Sequence, residues 1–227
     1  MKIMKRTALI SITVMMTFSV VLTHCKKDKE PEKGNVLSKE ITNIVSDSTL
    51  QKISNLGMVI NKGTTPPGFV NMYKASPFTL KCTNINGDYT LGTTFADYKF
   101  RLYDQDNINL TIKLDYVNGN ESGSGLGGFI SGNGSDFSIF IKVHGVSFNT
   151  SADMLQILSG TVTPEGISNF YFANYMLDDF GDPKGIWMEV GEGRVFFDAD
   201  KLTPIVSSFQ VETKAKNLIS VSGTSKK

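Results

Sequence analysis

From Gly57 onward the side chains alternate between apolar and polar with a period of two, and no property of the sequence restricts its fold more. Tyr98, Phe100 and Leu102 alternate with Lys99 and Arg101; Ile108, Leu110, Ile112, Leu114 and Tyr116 alternate with Asn109, Thr111, Lys113 and Asp115. Successive side chains of a strand point to opposite faces, so each run is a strand with one buried face. Asp104-Gln105-Asp106-Asn107 reads as the turn that makes the two a hairpin. Phe137, Ile139, Ile141 and Val143 repeat the pattern against Ser138, Lys142 and His144. Further strands are expected around 68–74, 77–83, 126–131, 154–163, 166–177, 186–190 and 193–198, with Thr163-Pro164-Glu165-Gly166 as a turn. A helical signal occurs once, where Ser48-Thr49-Leu50-Gln51 has the capping-box form. Leu50, Ile53 and Leu56 share a face there, and Gly57 is placed to end the helix. About nine or ten strands with no helices between them exclude a parallel α/β fold. The fold class is therefore all-β: an antiparallel up-and-down barrel with one short N-terminal helix, with a β-sandwich as the alternative.

Residues 1–24 differ from the rest. Lys2, Lys5 and Arg6 precede an uncharged run of 15 residues from Ala8 to Leu22, the pattern of an export signal. The run is short for a membrane span, which takes about 20 residues. Residues 25–38 follow as a tether, opening Cys25-Lys26-Lys27-Asp28-Lys29-Glu30-Pro31-Glu32-Lys33 and almost free of apolar side chains until Val36. A single β domain is expected over 39–215, with a frayed Ser/Lys-rich C-terminus over 216–227.

Leu22-Thr23-His24-Cys25 resembles the lipobox of bacterial lipoproteins, in which the cysteine is diacylated and becomes the new N-terminus. His24 stands where that pattern has Gly, Ala or Ser. The resemblance implies acyl chains such as palmitate on Cys25, a membrane partner held through them, and a cell-envelope location at the outer membrane, facing either periplasm or surface. Four further stretches are similar to a group of Bacteroidota lipoproteins with a calycin-like, that is lipocalin-like, β-barrel. They are Leu56-Gly57-Met58-Val59-Ile60-Asn61-Lys62-Gly63-Thr64-Thr65-Pro66-Pro67, Tyr73-Lys74-Ala75-Ser76-Pro77, Ile130-Ser131-Gly132-Asn133-Gly134-Ser135-Asp136-Phe137 and Leu158-Ser159-Gly160-Thr161-Val162-Thr163-Pro164-Glu165-Gly166-Ile167. That group supplies no catalytic residues to carry over.

Composition and spacing remove several chemistries. The chain carries 23 Lys plus Arg against 22 Asp plus Glu, a net +1; without residues 1–24 the balance is 20 against 22, or −2, and no basic field for nucleic acid remains. His144 is expected on the outer face of its strand with no nucleophile motif beside it. Cys82 is expected as an inert buried thiol on the face of Phe78 and Leu80. One His and one Cys do not make a zinc site. Gly123-Ser124-Gly125-Leu126-Gly127-Gly128 contains G-x-G-x-x-G, but a dinucleotide site needs a helix after it, and Phe129-Ile130-Ser131 continues as strand. The stretch from Val117 to Gly125 is read instead as a hairpin loop.

Asp104, Asp106, Asp178, Asp179, Asp182, Asp198 and Asp200 cluster in turns without an EF-hand spacing, and Gly132-Asn133-Gly134-Ser135-Asp136 is a single copy of an RTX-like calcium sequence. They read as turn carboxylates. Glu165, Glu189 and Glu192 near strand ends are the candidate pair for glycoside hydrolysis, a chemistry decided by carboxylate separation. Asp47-Ser48-Thr49 resembles a short O-glycosylation signal. Tyr171, Tyr175, Phe180 and Trp187 flank the Asp178–Gly185 loop and are the candidate ligand-binding residues at a barrel mouth.

These features predict a lipid-anchored, non-enzymatic binding or interaction module. It uses no cofactor or metal, and its partner is a small hydrophobic ligand or an envelope component. A filled barrel interior would move the function to the rim loops or outer surface. An envelope glycan hydrolase and a purely structural envelope lipoprotein are the alternatives.

Overall fold

The computed structural model describes residues 36–119, 121–147 and 149–209, within which the alternating segments form strands. The expected export segment 1–24, the expected lipidation site Cys25, the expected tether through residue 35 and the C-terminus from residue 210 lie outside the described residues. Helices α1 (Lys39–Ile44) and α2 (Asp47–Asn55) precede β1 (Thr64–Thr65), β2 (Met72–Ala75), β3 (Phe78–Thr83), β4 (Tyr98–Asp106) and β5 (Thr111–Asn118). Then come β6 (Glu121–Asn133), β7 (Asp136–Ser147), β8 (Thr150–Thr163), β9 (Gly166–Asp178), β10 (Gly193–Asp198) and β11 (Leu202–Pro204).

Hydrogen bonding runs in the order β2-β4-β5-β6-β7-β8-β9-β10-β3, with every neighbour antiparallel. The two ends of this path are consecutive in the chain, being halves of one strand kinked at Ser76–Pro77. Beyond the kink, β3 still pairs with the segment leading into β4, through Phe95 N–H to Phe78 O at 2.8 Å and Leu80 N–H to Thr93 O at 2.9 Å. β11 continues β10 along β9 and reaches β2, where Val206 N–H donates to Met72 O at 2.9 Å. The sheet is therefore a meander that returns to its start and nearly closes as a barrel, rather than the sandwich kept as an alternative.

Closure is incomplete at one seam. β6 and β7 pair only from Phe129/Phe140 to Asn133/Asp136, so their remaining lengths part towards one end. That end carries the loops 84–91 and 179–192 and is called the loop end; the opposite, turn end carries the turns at 107–110, 134–135 and 164–165.

Inside, Phe78, Phe100, Phe137, Phe170, Phe172 and Phe196 are fully buried. Phe78 stacks on Phe196 at 4.8 Å between ring centroids and on Tyr98 at 5.4 Å; Phe100 stacks on Phe170 at 5.1 Å. Aromatic pairs of this kind hold more than their buried area alone. Outside, the two helices lay Ile41, Val45, Leu50 and Ile53 over Leu155, Ile157, Ala173 and Val195, so the middle of β8 and β9 is buried on both faces.

Several expectations are corrected. The α2 cap is Ser46, not Ser48: its hydroxyl accepts the Thr49 N–H at 3.2 Å, and Gly57 follows at φ +86°. The six-residue α1 was not expected; it packs through Ile41 and is capped by Ser38. The hairpin turn falls later, because Asp106 Oδ1 accepts from the backbone of Ile108 at 2.8 Å and of Asn109 at 3.1 Å, and Ile108 ends 93% exposed. Residues 186–190 belong to the 179–192 loop, not to a strand.

The glycine run is strand β6, not a loop from Val117. Gly125, at φ +66°, donates its N–H to the buried Asp115 carboxylate at 2.7 Å, where Arg101, Tyr103 and Ser124 also converge. A side chain at Gly128 would come within 2.7 Å of Ile141. Cys82 leaves the Phe78/Leu80 face because a register shift in β3 sets it opposite Val195 of the outer cluster, where it is half-buried.

Candidate functional site

Two amides stand where the inward-facing pattern calls for apolar side chains. On β8 the inward series is Met154, Gln156, Leu158; on β9 it is Phe172, Asn174, Met176. Gln156 and Asn174 are register partners, both fully buried. Neither atom of the Gln156 amide has a hydrogen-bond partner in the protein; the Tyr116 hydroxyl lies near it without the geometry of a bond. Asn174 spends its NH₂ on the Met154 sulfur at 3.7 Å and leaves its oxygen unmatched. Across the barrel, the Tyr98 hydroxyl is likewise buried and unmatched, with its ring 5.6 Å from Tyr116 and 4.7 Å from Phe172.

These four side chains form a polar belt at the loop end of a mostly apolar interior. Burial, with the Glu121 carboxylate adding to it, pushes the Tyr116 hydroxyl up to about 12; burial first, then Tyr116 and Glu121, keeps Tyr98 well above its ordinary value. Both phenols are thus neutral donors at physiological pH. Each unmatched buried polar group costs about 1–3 kcal/mol, so a set of them in one layer calls for partners beyond the protein's own groups, either bound water or a ligand.

A pliable roof covers the belt. Met154 and Met176 are register partners one rung nearer the loop end, and Met188 and Trp187 pack on the same core from the 179–192 loop. Trp187 Nε1 donates to Thr150 O at 3.1 Å, and its backbone N–H donates to Asp182 Oδ2 at 2.6 Å. Gly145 leaves the room, since a Cβ there would stand 3.1 Å from the Met154 methyl and 3.2 Å from the Trp187 ring. Thioether side chains repack at low cost, which suits a cover over a variable guest. The β6/β7 seam runs beside the belt, because Tyr116 lies in register with Gly123.

Arg194, also fully buried, sits opposite Asn174 on β10. Its Nε donates to Asp88 Oδ2 at 2.9 Å and its Nη2 to Asp88 Oδ1 at 2.7 Å, which fastens the 84–91 loop to the barrel. Burial raises the Asp88 carboxyl, but the bonds from Arg194 and Thr83 outweigh it and hold the group below its ordinary range.

The four aromatic residues expected at one mouth are separated. Tyr175 is buried on the outer face of β9 under the helices. Tyr171, also outward, carries the Lys81 ammonium 4.1 Å from its ring and lines a groove of about 260 Å³ with Val59 and Asn61. Phe180 lines a pocket of about 390 Å³ with His144, Ser151 and Lys184, while Trp187 belongs to the roof. Only Phe180 and Trp187 stand in the 179–192 loop itself; Tyr175 lies close to that loop, beside Gly193, but on the outer face.

His144 is exposed and shares a hydrogen bond of 2.7 Å with Asp153, which Lys142 also pairs at 2.7 Å; these two contacts hold the Asp153 carboxyl below its ordinary value. The loop carboxylates serve their own backbone: Asp178 accepts from Phe180 N–H, Asp179 from Gly181 N–H, and Glu192 from Glu189 N–H. Glu165 lies at the turn end, across the barrel from Glu189 and Glu192, so it cannot pair with them. Among the described residues, no three His, Cys, Asp or Glu side chains gather as a metal site, and no helix is long and apolar enough to cross a membrane.

Compared with protein-family models, curated proteins and solved structures, the chain matches none.

One carboxyl outside the belt gives a pH signature. Asp198, where β10 bends into β11, is pushed up to about 6 by burial, with Asp200 adding and the Thr203 hydroxyl, at 2.7 Å, opposing. A raised carboxyl takes up a proton on folding, so its contribution to stability is present at low pH and lost as pH rises through about 6. Urea unfolding of Asp198→Asn is expected to gain roughly 1–2 kcal/mol on the native chain between pH 4.5 and pH 7.5. A pH-independent difference between the two would contradict this assignment.

Proposed function

We propose that this protein is a non-enzymatic binding module of a bacterial cell envelope, held to a membrane by acyl chains on Cys25, that takes a small ligand at the loop end of its barrel. The observation that carries the reading is the polar belt: Tyr98, Gln156 and Asn174, from three strands, bury hydrogen-bonding atoms that the protein does not match. The belt's own side chains are uncharged and lie among rings and thioethers, and the one buried guanidinium beside them, Arg194 opposite Asn174, is taken up by Asp88. The ligand such a site fits is a small, mostly apolar molecule bearing an uncharged amide or hydroxyl group. A wholly hydrophobic ligand would leave the belt unmatched.

The methionine and tryptophan roof and the parted β6/β7 seam are the two ways in. The nearly closed meander supports the calycin-like assignment, and the lipobox-like Leu22-Thr23-His24-Cys25 supports the anchor and the outer-membrane location.

Native mass spectrometry of the protein extracted gently from its source membranes tests both parts. The expected species begins at Cys25, carries acyl chains and retains a small non-covalent ligand. An unmodified or different N-terminus removes the anchor. A chain without any bound molecule removes the binding function and leaves a structural envelope component.

A further inference from the structure

The described chain begins at the turn end: Val36 O accepts the Gly63 N–H at 3.1 Å, and Gly63 O in turn accepts from Gly132 N–H at 3.2 Å, next to the β1–β6 pairing. That same end exposes Ile108 at the tip of the β4–β5 turn, 93% accessible, with Val70 at 55% and Ile205 at 42%. The three come from adjoining segments of one rim. Gln105 Nε2 donates to Pro67 O at 2.7 Å, which binds the turn to the chain before Val70, and Val206 N–H donates to Met72 O at 2.9 Å, which brings Ile205 beside it.

We infer that this rim rests on the bilayer, with Ile108 and its aliphatic neighbours dipping among the headgroups while the loop end faces away. The inference rests on the lipid-anchor reading. Ten residues separate Cys25 from Val36, and an extended chain of that length spans at most about 35–40 Å. Anchored there, the turn end meets the membrane at high effective concentration, so a weak contact suffices. Leu91, Val146, Phe180 and Val190 are also exposed, but they belong to the loop end, far from where the chain joins the barrel. Asp104, Asp106, Asp136 and Glu165 at the turn end outnumber Lys62 and Lys113, so the surface fits zwitterionic rather than anionic headgroups.

Trp187 is the chain's one tryptophan and lies at the loop end, which makes it a built-in reporter of the far side. The test uses the full acylated chain on phosphatidylcholine vesicles with brominated acyl chains. Trp187 emission is expected to stay unquenched, and an added tryptophan at the loop end, Val190→Trp, should behave the same way. Ile108→Trp should add emission of which about half is quenched, as for a side chain seated at the headgroup boundary. Protein that floats with the vesicles while its Ile108→Trp emission is as insensitive as Trp187 overturns the docking but leaves the anchor standing. Protein that does not float overturns the anchor and the docking with it.

Discussion

Replacing Arg194 with methionine is expected to lower the free energy of unfolding by about 3–5 kcal/mol, the largest effect of any single change considered for this barrel. The guanidinium is fully buried and the Asp88 side chain is 1% exposed, so neither charge is solvated. Their two bonds, at 2.9 and 2.7 Å, are the parallel fork that makes such a pair worth burying. The Thr83 hydroxyl adds a third bond to the carboxylate at 2.7 Å, and the guanidinium lies 5.5 Å from the Tyr89 ring. Without Arg194, a carboxylate remains in a site that only a cation had made tolerable. Adding Asp88→Asn to Arg194→Met should restore much of the loss, because the stranded charge is gone. Urea denaturation of the two single variants and the double variant measures this as a cycle. A loss under about 1 kcal/mol for Arg194→Met, typical of exposed pairs, would mean that water reaches this pair.

The strands were legible because their burial is one-sided. Tyr98, Phe100 and Leu102 face the barrel, fully buried, against the outward Lys99 and Arg101, and the period reads directly. It fails on β9, where outer residues such as Ala173 and Tyr175 are as buried as Phe172 and Met176. Two-sided burial erases the signal that assigns a face, so Tyr171 and Tyr175 could not be told from lining residues.

Local insertions defeat it too. The register shift that moves Cys82 to the outer cluster leaves no mark in composition. Helix α1 is too short to show a period and exists because Ile41 and Val45 dock on the sheet. The polar belt did leave a trace: an amide at 156 between inward Met154 and Leu158, and another at 174 between inward Phe172 and Met176. A search for polar residues on the buried face of an alternating strand would have found both, whereas a search for titratable groups finds neither.

The second large effect concerns that belt and has the opposite sign. Exchanging Gln156 for methionine and Asn174 for leucine keeps side-chain volume nearly constant. It removes three buried polar atoms that no protein group matches, Gln156 Oε1 and Nε2 and Asn174 Oδ1. Deleting an unmatched group recovers its desolvation cost, about 1–3 kcal/mol each. The ligand-free double variant is therefore expected to be more stable than the native chain by roughly 2–4 kcal/mol, after the weak Asn174–Met154 contact is lost. A core that gains stability when its polar residues are erased is one that keeps them for a purpose other than folding.

Urea unfolding of Gln156→Met/Asn174→Leu beside the native chain, both freed of bound molecules, tests this most directly. A midpoint shifted upward at unchanged slope is the result the belt requires. A downward shift of similar size would show that the two amides are satisfied within the folded protein, and that the loop end of the barrel is ordinary core rather than a binding site.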